Sequence, residues 1–134
     1  MELTWTPDLS IGHDRIDKQH IELFGLFDEF IAGSARGEAK ETLIALHDRL
    51  KEYAEVHFAE EEALMQQAGY PQLAQHKRAH DTFRNRLASI RQQIAEQGPT
   101  LMNLIETNKA LVSWLVNHVK EVDQNFGRFL NDRT

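Results

Sequence analysis

Leu73, His76, His80, Phe83, Leu87, Ile90 and Ile94 follow one another in steps of three and four. That rhythm is the turn of an α-helix with one face turned inward, and it runs too long for a strand. A chain with such a stripe must cover it with other apolar faces. It must also find partners for the two histidines lying inside the stripe.

Three further stretches carry the same period. A helix is predicted over 16–33, capped by Asp14 or Asp17, with Ile16, Leu23, Phe24, Phe27, Phe30 and Ile31 facing inward and His20 in the gap. Glycines 33 and 37 close it. A second helix is predicted over 38–67, with Leu43, Leu46, Leu50, Tyr53, His57, Glu61 and Leu64 on its stripe and Gly69-Tyr70-Pro71 as its stop. The third is predicted over 71–96, ended by Gly98-Pro99. The fourth, over 100–131, carries Leu101, Leu104, Ile105, Leu111, Val112, Leu115, Val119, Val122, Phe126, Phe129 and Leu130. Residues 1–15, with Pro7, Gly12 and the apolar Trp5, Leu9 and Ile11, predict a non-helical arm packed on the body. With no strand-like alternation and no repeat, the expectation is all-α: one domain over 1–134, an antiparallel up-down-up-down four-helix bundle.

Composition narrows the function classes. The net charge is −6, from 21 acidic and 15 basic side chains without a basic run, which argues against a nucleic-acid partner. There is no cysteine, so disulfides, zinc-thiolate sites and iron–sulfur clusters are excluded. No apolar stretch reaches the ~20 residues of a membrane span. Met1-Glu2-Leu3-Thr4-Trp5 does not open a signal peptide, and a soluble cytoplasmic protein is expected.

Each predicted helix has ionisable residues in or beside its buried stripe: His20; His57 and Glu61; His76 and His80; His118 and Asp123. Residues four apart share a helix face, so His57 pairs with Glu61 and His76 with His80. Buried without partners, such groups cost several kcal/mol each. A single histidine on an apolar face is more often a hydrogen-bonded core residue than a ligand, and Glu60-Glu61-Glu62 alone would read as a solvated face. Seven ligand-type residues on four inward faces are not explained that way; a transition metal bound by nitrogen and oxygen is. His13 and His47 stand apart and read as structural or solvent-facing, and Glu52, Glu55 and Asp81 as surface.

The order of these residues, with Trp5, Gly12, the Ile16-Asp17-x-x-His20 run and Trp114-x-x-x-His118, resembles hemerythrin in its bacterial single-domain form across nearly the whole chain. The resemblance implies two non-haem Fe ions with a bridging oxo or hydroxo group and dioxygen as ligand. It implies that His76, His80 and His118 complete one iron, that His20 and His57 bind the other, and that Glu61 and Asp123 bridge them. Five histidines, two bridging carboxylates and the oxo bridge then fill eleven of the twelve positions of two six-coordinate irons. The position left open belongs to the His20/His57 iron, and dioxygen can bind there.

Leu23, Phe58, Trp114, Leu115 and Val119 lie within a turn of these residues and suit an apolar oxygen pocket, a role compatible with plain bundle core. The function so implied is reversible dioxygen binding (carrier, store or sensor) in a monomer that delivers oxygen, for instance to an oxygen-using enzyme. The alternative is a di-iron enzyme acting as oxidase, peroxidase or nitric-oxide scavenger. Histidines outnumbering carboxylates stabilise high-valent iron less, which favours binding over catalysis. One spacing is irregular. His118 and Asp123 are five apart and diverge by roughly 140° on a regular α-helix, so either Asp123 reaches in from the side or a π-type bulge brings the two onto one face, the bulge being the preferred reading.

Overall fold

The computed structural model describes residues 5–97, 109 and 111–132. Among the described residues four helices lie antiparallel as a bundle: α1 (Asp14–Ala35), α2 (Lys40–Ala68), α3 (Leu73–Gln97), and α4. Helix α4 is continuous over 111–131, as an α-helical 111–117, a π-helical His118–Asp123 and an α-helical Gln124–Asn131. No strand occurs among the described residues. The predicted start of the fourth helix at 100, its Leu101, Leu104 and Ile105, and the Gly98-Pro99 stop lie outside the described residues.

Helix α1 starts two residues before its predicted position and is capped by neither candidate aspartate. His13 precedes it in extended conformation, and its Nδ1 accepts from the Ile16 amide at 3.3 Å. Asp17 turns back to hold the arm instead, accepting from the Ser10 hydroxyl and, at 2.9 Å, from the Ile11 amide. The helix runs on to Ala35, closed by the Arg36 amide on Ala32, and α2 begins at Lys40 after an extended Ala39. Gly69 ends α2 with φ at +70°, the left-handed cap that glycine adopts without a Cβ clash. Pro71 sits in a turn and α3 begins at Leu73, because Pro71 and Gln72 are used in reversing the chain.

The arm is not wholly irregular: Pro7–Leu9 form one 3-10 turn. Leu9 and Ile11 are buried, and Gln124 of α4 donates to the Asp8 carbonyl at 2.7 Å. Gly127 permits this docking, since a Cβ there would lie 2.2 Å from the Ile11 carbonyl oxygen.

The apolar core falls into two parts. The larger contains Leu23, Phe24, Phe27, Phe58, Phe83, Leu87, Leu115 and Val119; the smaller contains Ile11, Ile16, Met65, Tyr70 and Phe126. On every helix the two clusters are separated by at least one predicted ionisable residue: His20 lies between Ile16 and Leu23, Glu61 between Phe58 and Met65, His76 and His80 between Leu73 and Phe83, and Asp123 between Val119 and Phe126, while His57 and His118 sit at the edge of the larger cluster. A polar layer thus divides the core across its full width.

Candidate metal centre

All seven predicted ligands are brought together, and all are buried: His20, Glu61, His80 and Asp123 completely, His57, His76 and His118 nearly so. One group of donor atoms, from Glu61, His76, His80, His118 and Asp123, lies within a span of 4.8 Å, and a second, from His20, His57, Glu61 and Asp123, does likewise. The two groups share only the carboxylates.

The carboxylate oxygens are divided between the groups. Glu61 Oε1 lies 2.6 Å from His76 Nε2 and 3.2 Å from His80 Nε2. Glu61 Oε2 lies 3.4 Å from His57 Nε2 and 3.8 Å from His20 Nε2. Asp123 Oδ1 faces His76 at 2.8 Å and His118 at 3.1 Å, while Oδ2 faces His20 at 3.1 Å. Each carboxylate therefore turns one oxygen to the three-histidine group and the other to the two-histidine group.

The π-helical His118–Asp123 makes this possible. Its wider turn brings residues five apart onto one face, as the spacing predicts, and aims Asp123 at the same centre as His118.

The atoms that converge here are not aligned as hydrogen bonds. Nε2 of His20, His76, His80 and His118, and both carboxylate oxygens of Glu61 and Asp123, are buried without a hydrogen-bond partner. Buried polar atoms in native proteins are nearly always satisfied. Nitrogen lone pairs and carboxylate oxygens left facing one another are satisfied by cations, and imidazole with carboxylate suits a divalent transition metal. The donor set fits the two ions that the resemblance implies.

Electrostatics reflect the same crowding. Burial alone would depress His20 and His76, but Asp123 and Glu61 outweigh it, raising His20 to about 10 and His76 to about 9. Burial would raise both carboxyls. The charge of His118, with His20 and His76, instead holds Asp123 well below the usual range, and His20, His76 and His80 do the same for Glu61. Burial dominates at His57 and lowers it to about 4, so that His57 is neutral at pH 7.

The predicted pocket residues surround the layer on its larger-core side. Leu23, Phe58, Leu115 and Val119 are buried and Trp114 is half-buried. Two of them also pack face to face on the histidines. Phe58 stacks on His80 with ring centroids 3.9 Å apart, and Trp114 on His118 at 4.6 Å.

Sequence reasoning missed the groups behind the histidines. Gln19, buried, accepts from His57 Nδ1 at 2.8 Å, and Glu62 accepts from His80 Nδ1 at 2.8 Å. Both flank a candidate ligand in sequence (Gln19 before His20, Glu62 after Glu61), which is the available signal. His47 is fully buried, its Nε2 2.7 Å from the Leu87 carbonyl oxygen, so its structural reading holds and its solvent-facing one does not. Four after Leu43 and three before Leu50, it occupies a stripe position.

An antiparallel four-helix bundle with histidines and two carboxylates pooled at mid-core defines a class: the non-haem metal-binding helical bundles. Residues 11–130 match the Hemerythrin HHE cation binding domain. A bacteriohemerythrin of Stenotrophomonas maltophilia is 36% identical over 127 residues, covering 92% of this chain and 78% of that protein. A myohemerythrin of Theromyzon tessulatum is 28% identical over 89% of this chain and 86% of its own. A crystal structure of wild-type hemerythrin superposes with a TM-score of 0.85 at 27% identity, covering 97% of this chain and 98% of that one. The chain belongs to the hemerythrin family.

Proposed function

We propose that this protein binds dioxygen reversibly at a pair of non-haem irons, as a carrier or store rather than as an enzyme. The observation that carries the reading is the division of the Glu61 and Asp123 oxygens between His76, His80 and His118 on one side and His20 and His57 on the other. In this reading His76, His80 and His118 would hold one iron, His20 and His57 would hold the other, and Glu61 and Asp123 would serve both, with an oxo or hydroxo group completing the centre. Two irons so held would supply the pair of electrons that reversible dioxygen binding requires.

The chain's own residues do the rest. His57, kept neutral by burial, offers a lone pair without first losing a proton. Leu23, Phe58, Leu115 and Val119 keep water and anions from the layer, while Phe58 and Trp114 also fix the planes of His80 and His118. No helix of the described residues is long and apolar enough to cross a membrane. The proposal extends to a cytoplasmic monomer that releases oxygen to a consuming enzyme.

The test is anaerobic reduction of the iron-loaded protein, exposure to air and removal of oxygen, followed in the visible spectrum. A charge-transfer band that appears with oxygen and vanishes on its removal through repeated cycles supports the reading. Direct passage to a stable ferric spectrum would replace it with the oxidase alternative.

A further inference from the structure

The two histidine groups differ in what stands behind them. His80 Nδ1 donates to a carboxylate, Glu62 Oε2, at 2.8 Å, with Arg84 lying 3.7 Å from the same oxygen and over the Phe58 ring that stacks on His80. His57 Nδ1 donates at 2.8 Å to a neutral amide, Gln19 Oε1. The orientation of that amide is fixed. Gln19 Nε2 donates to Glu60, which as a carboxylate can only accept, and Glu60 is held in turn by the Arg15 guanidinium, whose Nε lies at 3.2 Å. Gln19 must therefore present its oxygen to His57. His57 then carries its proton on Nδ1 and keeps Nε2 as a lone pair toward Glu61.

An acceptor behind a metal-bound imidazole sets its tautomer, and an anionic acceptor also raises its donor strength. We propose that Gln19 and Glu62 are positioning residues that make the two metal subsites unequal: Glu62 strengthens the His76/His80/His118 subsite through His80, and Gln19 orients His57 while leaving the His20/His57 subsite the weaker. This rests on the di-iron reading above, and assigns the difference between its halves to two residues outside the ligand set. The weaker subsite is the one whose ligand count leaves room for dioxygen.

The test titrates the metal-free protein with Fe²⁺ under anaerobic conditions against a chromophoric chelator. Wild type is compared with Gln19→Glu, Gln19→Leu and Glu62→Gln, with a ¹⁵N spectrum of His57 in the metal-free state. Two resolved binding steps are expected for wild type. Glu62→Gln weakens the tighter step by roughly 10- to 100-fold and spares the weaker. Gln19→Glu, made together with Glu60→Gln so that a donor again faces the new carboxylate, tightens the weaker step by a similar factor, and Gln19→Leu loosens it and mixes the His57 tautomers. A fold defect alone would lower both steps together and leave the tautomer unmoved. With two ions bound by wild type, variants that move both steps equally, or neither, overturn the inference while leaving the di-iron reading intact. A wild type that binds no iron overturns both.

Discussion

At His20, burial and charge pull in opposite directions, and the outcome sets the acid–base behaviour of the protein without metal. An unfolded histidine releases its proton near 6.5, whereas folded His20 keeps its proton to about 10 and His76 to about 9. Because both are raised, their contribution to stability is complete below pH 6.5 and is lost as pH climbs toward 9 and 10. His57 runs the other way: lowered to about 4, it opposes folding as pH falls from 6.5 toward 4. Glu61 and Asp123, both depressed, lose their contribution on the acid side too. Chelator-treated protein should therefore melt highest near pH 6.5 and lower on either side; a melting temperature still rising above pH 8 would contradict this. Leu115 offers a second test, since truncation to alanine opens the apolar side of the layer. Leu115→Ala should cost about 2–5 kcal/mol in denaturant unfolding and shorten the life of the oxygenated spectrum. An oxygenated form as durable as wild type would remove Leu115 from the pocket. The seven candidate ligands were legible because each interrupts or flanks an apolar stripe. Gln19 and Glu62 were not, because each lies one residue from a candidate ligand and gains its histidine contact only when another helix brings His57 or His80 against it.

Among the elements, α3 was the most legible: His76, His80, Phe83, Leu87, Ile90 and Ile94 are all buried as their spacing demands. On α2 the period blurred. His47 and Ala54 take buried positions and leave Leu46 and Tyr53 half-buried, since an amphipathic face wide enough to meet two neighbours admits more than one stripe. Helix ends were least legible because caps compete: Asp17, a sound N-cap by type, is engaged with the arm, and His13 takes its place. The π-helical His118–Asp123 amounts to one extra residue in α4. Deleting the exposed Glu121 would return α4 to regular α-helix with histidine and aspartate four apart, still on one face, and Phe126 still inward. The aspartate would move along the axis by about 1.5 Å. The expected result is a metal-free melting temperature equal to or above wild type, with weakened Fe²⁺ binding; a lower melting temperature would mean that the fold itself needs the bulge. Gly127→Ala tests the other end of α4. A Cβ placed 2.2 Å from the Ile11 carbonyl oxygen must push the arm away, at a cost of about 1–3 kcal/mol in denaturant unfolding. An unchanged midpoint would show that the arm adds nothing to the stability of the bundle.

Across the whole molecule, the polar layer sets apolar packing against unmet charge. Two apolar clusters meet along its faces, so its histidines and two carboxylates are cut off from water by the core that holds them together. Nε2 of His20, His76, His80 and His118 and the oxygens of Glu61 and Asp123 are buried without a hydrogen-bond partner among the protein groups around them. Protons on His20 and His76 neutralise some of the carboxylate charge, but a proton bonds one pair of atoms at a time, whereas a divalent ion draws on several donors at once. Binding at this layer should therefore act on the entire bundle, since every helix supplies a donor and none can leave without breaking the site. Mass action gives about 2.7 kcal/mol of added stability for one ion at a free concentration a hundredfold above its dissociation constant. Anaerobic Fe²⁺ should raise the unfolding midpoint of the chelator-treated protein in a single cooperative transition, and Asp123→Asn should reduce that increment by removing a shared charge. A midpoint indifferent to the metal would mean that the protonated layer already satisfies the fold, leaving the ions guests of the bundle rather than part of its structure.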